Sequence, residues 1–155
     1  MKAAKIIFGL ALLTSFSTVA SVGKWSVAEE KGAREMVVSS KDGSLLNFTC
    51  DMGYKNGSPD AAGDRILFLE GPMDDYDSDE DTISLVVGDD KYDISSTGST
   101  VADSNWYGFW SDASDATAKT VDAYVDGKKI ATFTMRKAAE IYKSAPEDGC
   151  LKRAK

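Results

Sequence analysis

The chemistry open to this chain is set by two cysteines and by the absence of histidine. Cys50 and Cys150 are the only cysteines among its 155 residues. An even cysteine count behind an export-like leader predicts one structural disulfide, and no C-x-x-C spacing indicates a redox pair. Because histidine is missing, a Ser-His-Asp or Cys-His catalytic site is excluded. No nucleophile elbow, phosphate-binding glycine loop or zinc spacing occurs either, so we predict no enzyme activity, no cofactor and no resident metal.

Acidic side chains dominate residues 70–81, where seven of twelve positions are Asp or Glu. Asp75, Asp77 and Asp79 repeat at a spacing of two, as in the first half of a calcium loop. An EF-hand is excluded because Glu80 replaces the required glycine and Val86 the bidentate glutamate. Three interpretations stay open: a solvated loop, an irregular calcium site, and a docking patch for a basic protein.

Large rings cluster at residues 105–110, with the sequence NWYGFW. In a strand, Trp106 and Trp110 point to one face while Tyr107 and Phe109 point to the other. A one-sided sheet needs a single apolar face, so the surplus rings pack under another element or against a partner. We therefore treat Trp106 and Tyr107 as candidate partner anchors.

The first 20 residues have the layout of a secretory signal peptide. Lys2 and Lys5 precede the apolar run 6–13, and Thr18 and Ala20 supply an A-x-A-like end. The rival interpretation is an uncleaved membrane anchor, which the hydroxyl residues of positions 14–21 disfavour. We expect cleavage, a periplasmic or secreted protein without stable membrane insertion, and a single mature domain over residues 21–155.

The charge of the mature chain constrains its partners. Loss of Lys2 and Lys5 leaves 16 basic residues of the original 18 against 25 acidic ones, a net charge of −9. Such a surface repels nucleic acid and anionic lipid and favours basic proteins. Simple solubility is the alternative explanation.

Short alternating runs separated by turn residues predict a mainly β fold, an antiparallel barrel or sandwich of about eight strands. Lys41-Asp42-Gly43, Gly88-Asp89-Asp90 and Asp126-Gly127 are hairpin turns, the last being the strongest signal. The strands we expect cover residues 34–39, 45–51, 65–69, 82–87, 91–95, 120–125 and 128–133.

One amphipathic helix is predicted near the C-terminus. Met135, Ala138, Ala139 and Tyr142 form an apolar stripe at helical spacing, and Pro146 stops the helix. This helix covers an open end or edge of the sheet, and Cys150 fastens it.

Several short segments resemble the periplasmic C-type lysozyme inhibitors. These are LNFTCDMG at residues 46–53, SSTG at 95–98 and the Phe109-Trp110 pair. The resemblance implies a small β-barrel in which Ser95 and Thr97 lie on the loop that touches the target's catalytic carboxylates. Residues 125–150 are similar instead to exported proteins of the invasion-associated locus B type. Periplasmic immunity proteins against cell-wall-degrading toxins are functionally related candidates.

The leading hypothesis is a periplasmic inhibitor or immunity protein that occludes a lysozyme-like muramidase or toxin. Its proposed contacts are the polar-loop residues and an aromatic anchor, with the acidic segment steering a basic target: Ser95, Thr97, Ser99, Trp106, Tyr107, Asp75, Asp77 and Asp79. The alternatives are an exported β-domain with a structural or host-interaction role and a calcium-dependent binding module. Exposed rings and strand edges also allow a homodimer.

Overall fold

The computed structural model describes residues 22–30, 32–51, 64–95, 99–115, 117 and 119–153, which form two antiparallel sheets and two helices. The first sheet is a meander whose strands lie in chain order: β1 (Ser26–Glu30), β2 (Ala33–Ser39), β3 (Leu45–Asp51), β4 (Arg65–Glu70) and β5 (Asp75–Asp77). The second has the order β7-β6-β8-β9, with β6 (Ile83–Val87), β7 (Asp90–Ile94), β8 (Thr120–Val125) and β9 (Lys128–Thr134). Helix α1 (Thr100–Ala113) connects β7 to β8, and α2 (Ala138–Ser144) follows β9.

Strict alternation of side chains makes the two sheets one-sided. Along β3 and β4 every second residue is buried, whereas Asn47 and Phe68, which oppose each other, lie on the outer face. The inner faces of the two sheets supply most of the core, so the described residues form a sandwich and not a closed barrel. The mainly β, antiparallel fold predicted from the sequence is confirmed, with nine strands where about eight were expected.

Turn chemistry accounts for the hairpins. Asp126 and Gly127 join β8 to β9 with φ angles of 50° and 75°. Two consecutive residues with positive φ give the turn whose twist matches that of paired strands, which explains the strong Asp-Gly signal.

The prediction of a strand at residues 105–110 is wrong, because these residues lie within α1. Ser99 caps the helix, its Oγ accepting a hydrogen bond from the Ala102 amide at 3.0 Å. The buried side of α1 carries residues at helical spacing: Ala102, Trp106, Phe109, Trp110 and Ala113. The chain therefore has two helices in its described part, and only the second was anticipated.

Helix α1 packs against the inner face of the first sheet and against β7. The Phe48 ring on β3 stacks on Phe109 at 5.0 Å and meets the edges of Trp106 and Trp110 at 4.8 and 5.1 Å. Tyr92 of β7 contacts Phe109 from the other side at 6.0 Å. The aromatic residues of α1 thus complete the core between the sheets.

The predicted disulfide is confirmed. Cys50 on β3 is bonded to Cys150, 100 positions later, with their Cα atoms 5.7 Å apart. Helix α2 is shorter than the predicted stripe because Lys137, with φ of 77°, forms a left-handed turn immediately before it. Met135 is buried nonetheless, and Leu151 is buried beyond the disulfide.

Some predictions fall outside the described residues, namely the signal peptide at 1–20 and Thr97 in the polar loop. Among the described residues, neither helix has the length and apolar character needed to cross a bilayer.

Candidate functional site

The acidic segment, residues 70–81, lies on the surface at the end of β4, through β5 and into the following turn. Five of its carboxylates are exposed: Glu70, Asp74, Asp75, Asp79 and Glu80. No ion pair joins any of its seven carboxylates to a lysine or arginine in the described part of the chain. The segment therefore presents unneutralised negative charge to solvent.

Hydrogen bonds hold this segment to the sheet. Ser78 is buried, and it exchanges two hydrogen bonds with Leu67 of β4: its amide donates to the Leu67 carbonyl and its Oγ accepts from the Leu67 amide, each at 2.9 Å. Asp77 Oδ1 accepts from the amides of Asp79 and Glu80 at 2.9 and 3.1 Å. The spacing of two between Asp75, Asp77 and Asp79 therefore reflects strand β5 and the turn that follows it. The described residues contain no group of three ligands placed to hold a metal ion.

Strand register brings this segment to the same end of the second sheet as the polar loop. Ile83 pairs with both Ile94 and Val125. Asp81, two residues before Ile83, thus lies at the end where Ser95 leaves β7. The turn residue Asp126 lies at this end too, because it follows Val125.

The pKa of Tyr76 on β5 reflects the acidic residues at this end of the sheet. The pKa of Tyr76 is raised, first by loss of hydration and then by the negative charges of Asp74, Asp81 and Asp126. Asp74 and Asp81 flank β5 and Asp126 belongs to the β8–β9 turn, so acidic residues from two parts of the chain act on one hydroxyl.

The two described residues of the polar loop, Ser95 and Ser99, differ in their exposure and in their contacts. Ser95 is half-buried at the end of β7, whereas Ser99 is exposed and uses its hydroxyl to cap α1. Ser99 is thus a structural residue as well as a contact candidate. Thr97, the central residue of the predicted contact set, lies outside the described residues.

The structure corrects the choice of Trp106 as a partner anchor. Trp106 is 1% exposed, and its indole Nε1 donates to the Cys150 carbonyl at 2.7 Å. Tyr107 is half-buried, donates its hydroxyl to the Gly149 carbonyl at 2.7 Å and accepts from Arg65. Both rings hold the C-terminal segment in place because helical geometry turns them toward Cys150, so neither is an open anchor.

A buried arginine that the sequence did not single out joins α1 to the C-terminal segment. Arg65, 6% exposed, forms an ion pair with Asp103 and donates to the Gly149 carbonyl at 3.2 Å. The Tyr107 ring lies between two guanidinium groups, each 4.8 Å from its centroid, those of Arg65 and Arg153. Burial raises the pKa of Tyr107, and the positive charge of Arg65 opposes that increase. The Arg65 Nη atoms bond Asp103, Tyr107 and Gly149, whereas the buried Nε has no hydrogen-bond partner among the described residues.

A groove of about 580 Å³ runs beside the outer edge of β9. Its walls are β9 residues on one side and the β2–β3 turn on the other: Gly23, Ser39, Ser40, Lys41, Asp42, Thr120, Lys129, Ile130, Ala131, Thr132, Phe133 and Thr134. A smaller cleft of about 160 Å³ continues it past Ile130 toward Met73 and Tyr76. The charged side chains in the lining are Lys41, Asp42 and Lys129.

Asp122 on β8 organises the outer face beside this groove. Burial raises its pKa, but hydrogen bonds from Lys129 and from Thr132 Oγ1, the latter at 2.5 Å, outweigh that effect and lower it below the ordinary value of 3.8. A lowered pKa means that the carboxylate stabilises the fold above pH 3.8 and that this contribution is lost as the pH falls.

We accordingly expect Asp122→Asn to destabilise the protein at neutral pH and to match the wild type in strong acid. Urea unfolding of both proteins across the acid range measures the gap, which should close as the pH falls below about 3.8. Asp89→Asn, in the exposed β6–β7 turn, controls for the change in net charge. A gap that stays constant down to pH 2 would contradict the assignment.

Comparison with known proteins identifies the family. The family model described as YfjT matches residues 23–142. The chain belongs to the YfjT family. The match covers both sheets, α1 and most of α2, and it ends before Cys150, so the disulfide-bonded tail lies outside the YfjT region. No curated protein and no solved structure matches this YfjT chain. The comparisons therefore provide no link to the C-type lysozyme inhibitors or to the invasion-associated locus B proteins.

Proposed function

We propose that this YfjT-family chain is an exported binding protein that captures a basic cell-wall-degrading enzyme, a muramidase or a toxin, and blocks its cleft. The observation that carries the proposal is the shared end of the second sheet, where the acidic segment meets the start of the polar loop. A basic target attracted by the acidic segment would arrive beside the polar loop.

Several features support export and a binding role. A disulfide between distant positions fits an oxidising compartment, and residues 1–20 have the layout of a signal peptide, which favours the periplasm or the exterior. The carboxylates are held on a hydrogen-bonded hairpin, so little conformational entropy is lost when a partner binds. The contact set that we propose among the described residues is Ser95 with Asp75 and Asp79, without Trp106, and Thr97 stays a candidate from the sequence.

Charge steering gives a direct test with a matched control. Asp75→Asn/Asp79→Asn removes two exposed carboxylates from the acidic segment, and it spares Asp77, whose side chain accepts from backbone amides. Asp89→Asn/Asp90→Asn makes the same charge change at the β6–β7 turn, at the opposite end of that sheet.

Association with a basic C-type lysozyme and with a basic toxin muramidase is followed by stopped-flow fluorescence. At about 0.01 M salt, where the Debye length is about 30 Å, the first variant should associate roughly threefold or more slowly than the control variant. At about 1 M salt the two rates should coincide. Equal slowing by both variants would remove the acidic segment from the encounter.

Inhibition is measured separately as turnover of peptidoglycan by the same enzymes with increasing amounts of the chain. Stoichiometric inhibition supports occlusion of the cleft. Binding without inhibition would keep the docking role and reject the inhibitor function, whereas the absence of both would reject the proposal.

A further inference from the structure

The two sheets have four outer edges, and three of them are protected against pairing with another strand. Strand β5 has three residues, and β1 carries Glu29 and Glu30 along its exposed edge. Strand β7 is covered by α1, whose Asn105 Nδ2 donates to the Asp93 carbonyl at 2.8 Å. Short length, charge and cover are the usual means by which proteins prevent edge pairing.

Strand β9 differs from the other three edge strands. It has seven residues, and its stretch from Ile130 to Thr134 carries no charge. Within the described ranges only β8 pairs with it, and its other side faces the groove of about 580 Å³. Lys128, Lys129 and the register shift between Ala123 and Tyr124 protect the start of β9, so the uncharged remainder is the template for a further strand.

The hydrogen bonds of β8 and β9 show which backbone groups face this groove. The Met135 amide donates to the Lys119 carbonyl at 2.9 Å, so the pairs 119/135, 121/133 and 123/131 are the bonded pairs of the ladder. Thr132 and Thr134 belong to the alternate pairs, whose N–H and C=O groups point away from β8. The Trp25 indole confirms this direction, since its Nε1 reaches the Thr134 carbonyl from the open side at 2.8 Å.

Thr132 is therefore the centre of the open edge. Both its N–H and its C=O point into the groove, and no described residue bonds either group. The Thr134 N–H points the same way. Ala131 and Phe133, whose backbone groups bond β8, turn their side chains to the buried face, so a strand laid along the edge would place alternate residues beside them.

Flanking elements limit what the groove can hold. The β2–β3 turn forms its opposite wall, and the β4–β5 turn lies so close to Ile130 that a Cβ on Gly71 would be 2.8 Å from its Cγ2. These walls leave space for one extended segment beside β9 and obstruct the approach of a whole sheet. The groove's volume of about 580 Å³ falls within the roughly 300–1,000 Å³ of ordinary ligand sites.

Charged side chains of both signs line the groove and its cleft. Lys41 lies on the wall near one end and Lys128 lines the cleft at the other, and neither forms an ion pair with a described carboxylate. Lys129 and Asp42 are engaged already, by Asp122 and by the Ser40 hydroxyl respectively. Asp74 lines the same cleft as Lys128, so charges of both signs lie along the groove, and the backbone groups of β9 define the occupant.

From this geometry we propose that the open edge of β9 binds an extended polypeptide segment of a partner by strand addition. The segment has alternating apolar and polar residues, and it bonds the backbone of Thr132. The groups that bond the segment are backbone atoms of Thr132, which the proposed function does not use, so the inference goes beyond that function and can hold or fail independently of it.

The probe is a fluorescein-labelled peptide with the sequence of β8 and its flanks, residues 119–126, because β8 is the natural antiparallel neighbour of β9 and has alternating apolar residues. Two further peptides carry N-methyl groups on alternate residues, one set on Val121, Ala123 and Val125 and the other on Thr120, Asp122 and Tyr124. Only one set can face β9, so one peptide should lose binding to the full chain by about tenfold or more while the other keeps it. Equal affinities for the two would overturn the proposal.

Two substitutions at Thr132 test the same bond from the side of the protein. Thr132→Pro removes the outward N–H without removing a bond to β8, and Thr132→Val keeps the N–H while losing the hydroxyl that donates to Asp122. The proline variant should bind the unmethylated peptide about tenfold more weakly than the valine variant.

If the proline variant does not fold, amide hydrogen exchange of the wild type provides a second test. The bound peptide should slow exchange of the Thr132 amide. Unchanged exchange there would reject strand addition. A wild-type dimer that Thr132→Pro dissociates and Thr132→Val does not would assign the edge to a second copy and overturn the peptide assignment.

Discussion

Replacing both cysteines in Cys50→Ala/Cys150→Ala is expected to lower the free energy of unfolding by about 3–5 kcal/mol. The bond closes a loop of 100 positions, for which the chain-entropy model assigns about 4.7 kcal/mol at 25 °C. Residual structure in the unfolded chain reduces that figure, which makes it an upper value.

The contacts around the bond explain why its loss is not confined to the tail. Cys150 and Leu151 are each 1% exposed, and the Cys150 carbonyl accepts from the Trp106 indole at 2.7 Å. The neighbouring Gly149 carbonyl accepts from Tyr107 and from the buried Arg65. Release of this segment would take an acceptor from three buried or half-buried donors, each at a cost of about 1–3 kcal/mol unless water replaces it.

Urea unfolding followed by tryptophan fluorescence measures the effect, with reductant as the control. Reductant should shift the wild-type midpoint to that of the double variant and leave the variant itself unchanged. If the variant does not fold, the wild type with and without reductant still gives the difference. A loss below about 1 kcal/mol would mean that the noncovalent contacts of the tail carry its stability.

The strands were predictable because their signals are local. Residues 45–51 and 120–125 were predicted with the bounds that β3 and β8 have in the structure, since turn residues delimit strands and alternation sets their inner faces. The disulfide was equally accessible, because with two cysteines only one intramolecular pairing exists.

Helix α1 was missed although the sequence contains its pattern. Ala102, Trp106, Phe109, Trp110 and Ala113 are spaced by four, three, one and three, which is one face of a helix, and Ser99 is a good N-cap. Aromatic residues favour strands, and the residues before them are rich in Ser and Thr, which is typical of a loop. These two features were given more weight than the helical spacing. Rings on both faces of the supposed strand were the sign of the error, because a helix places the three largest on one side.

The candidate site was predictable only where charge alone defines it. The acidic segment is evident from composition, whereas the Arg65 cluster joins positions 38 and 84 residues apart. The open edge of β9 depends on sheet order. Strand β8 pairs with β6 and not with β7, the strand that precedes it in the chain, so β9 is left at the edge of the sheet. Long-range pairing of this kind has no local sequence signal.

The helix assignment leads to the second large effect. Phe48→Ala should destabilise the protein by about 3–5 kcal/mol, because the ring is 0% exposed and contacts aromatic residues from two other parts of the chain. Trp25 lies 5.9 Å from it, and Trp106 and Trp110 of α1 meet it edge-on. No neighbour is free to fill the space, since each ring is itself held by other contacts.

Phe68→Ala is the matched control, the same substitution on the adjacent strand but on the outer face of the sheet. It should cost about 1 kcal/mol, which is usual for a half-exposed position. Urea unfolding gives both values, and near-ultraviolet circular dichroism reports the tryptophan environment, which Phe48→Ala should alter and Phe68→Ala should not. Equal losses in the two variants would mean that α1 does not pack on β3. In that case the end of β7, where α1 begins, would no longer be fixed relative to the acidic segment, and the juxtaposition on which the binding proposal depends would be lost.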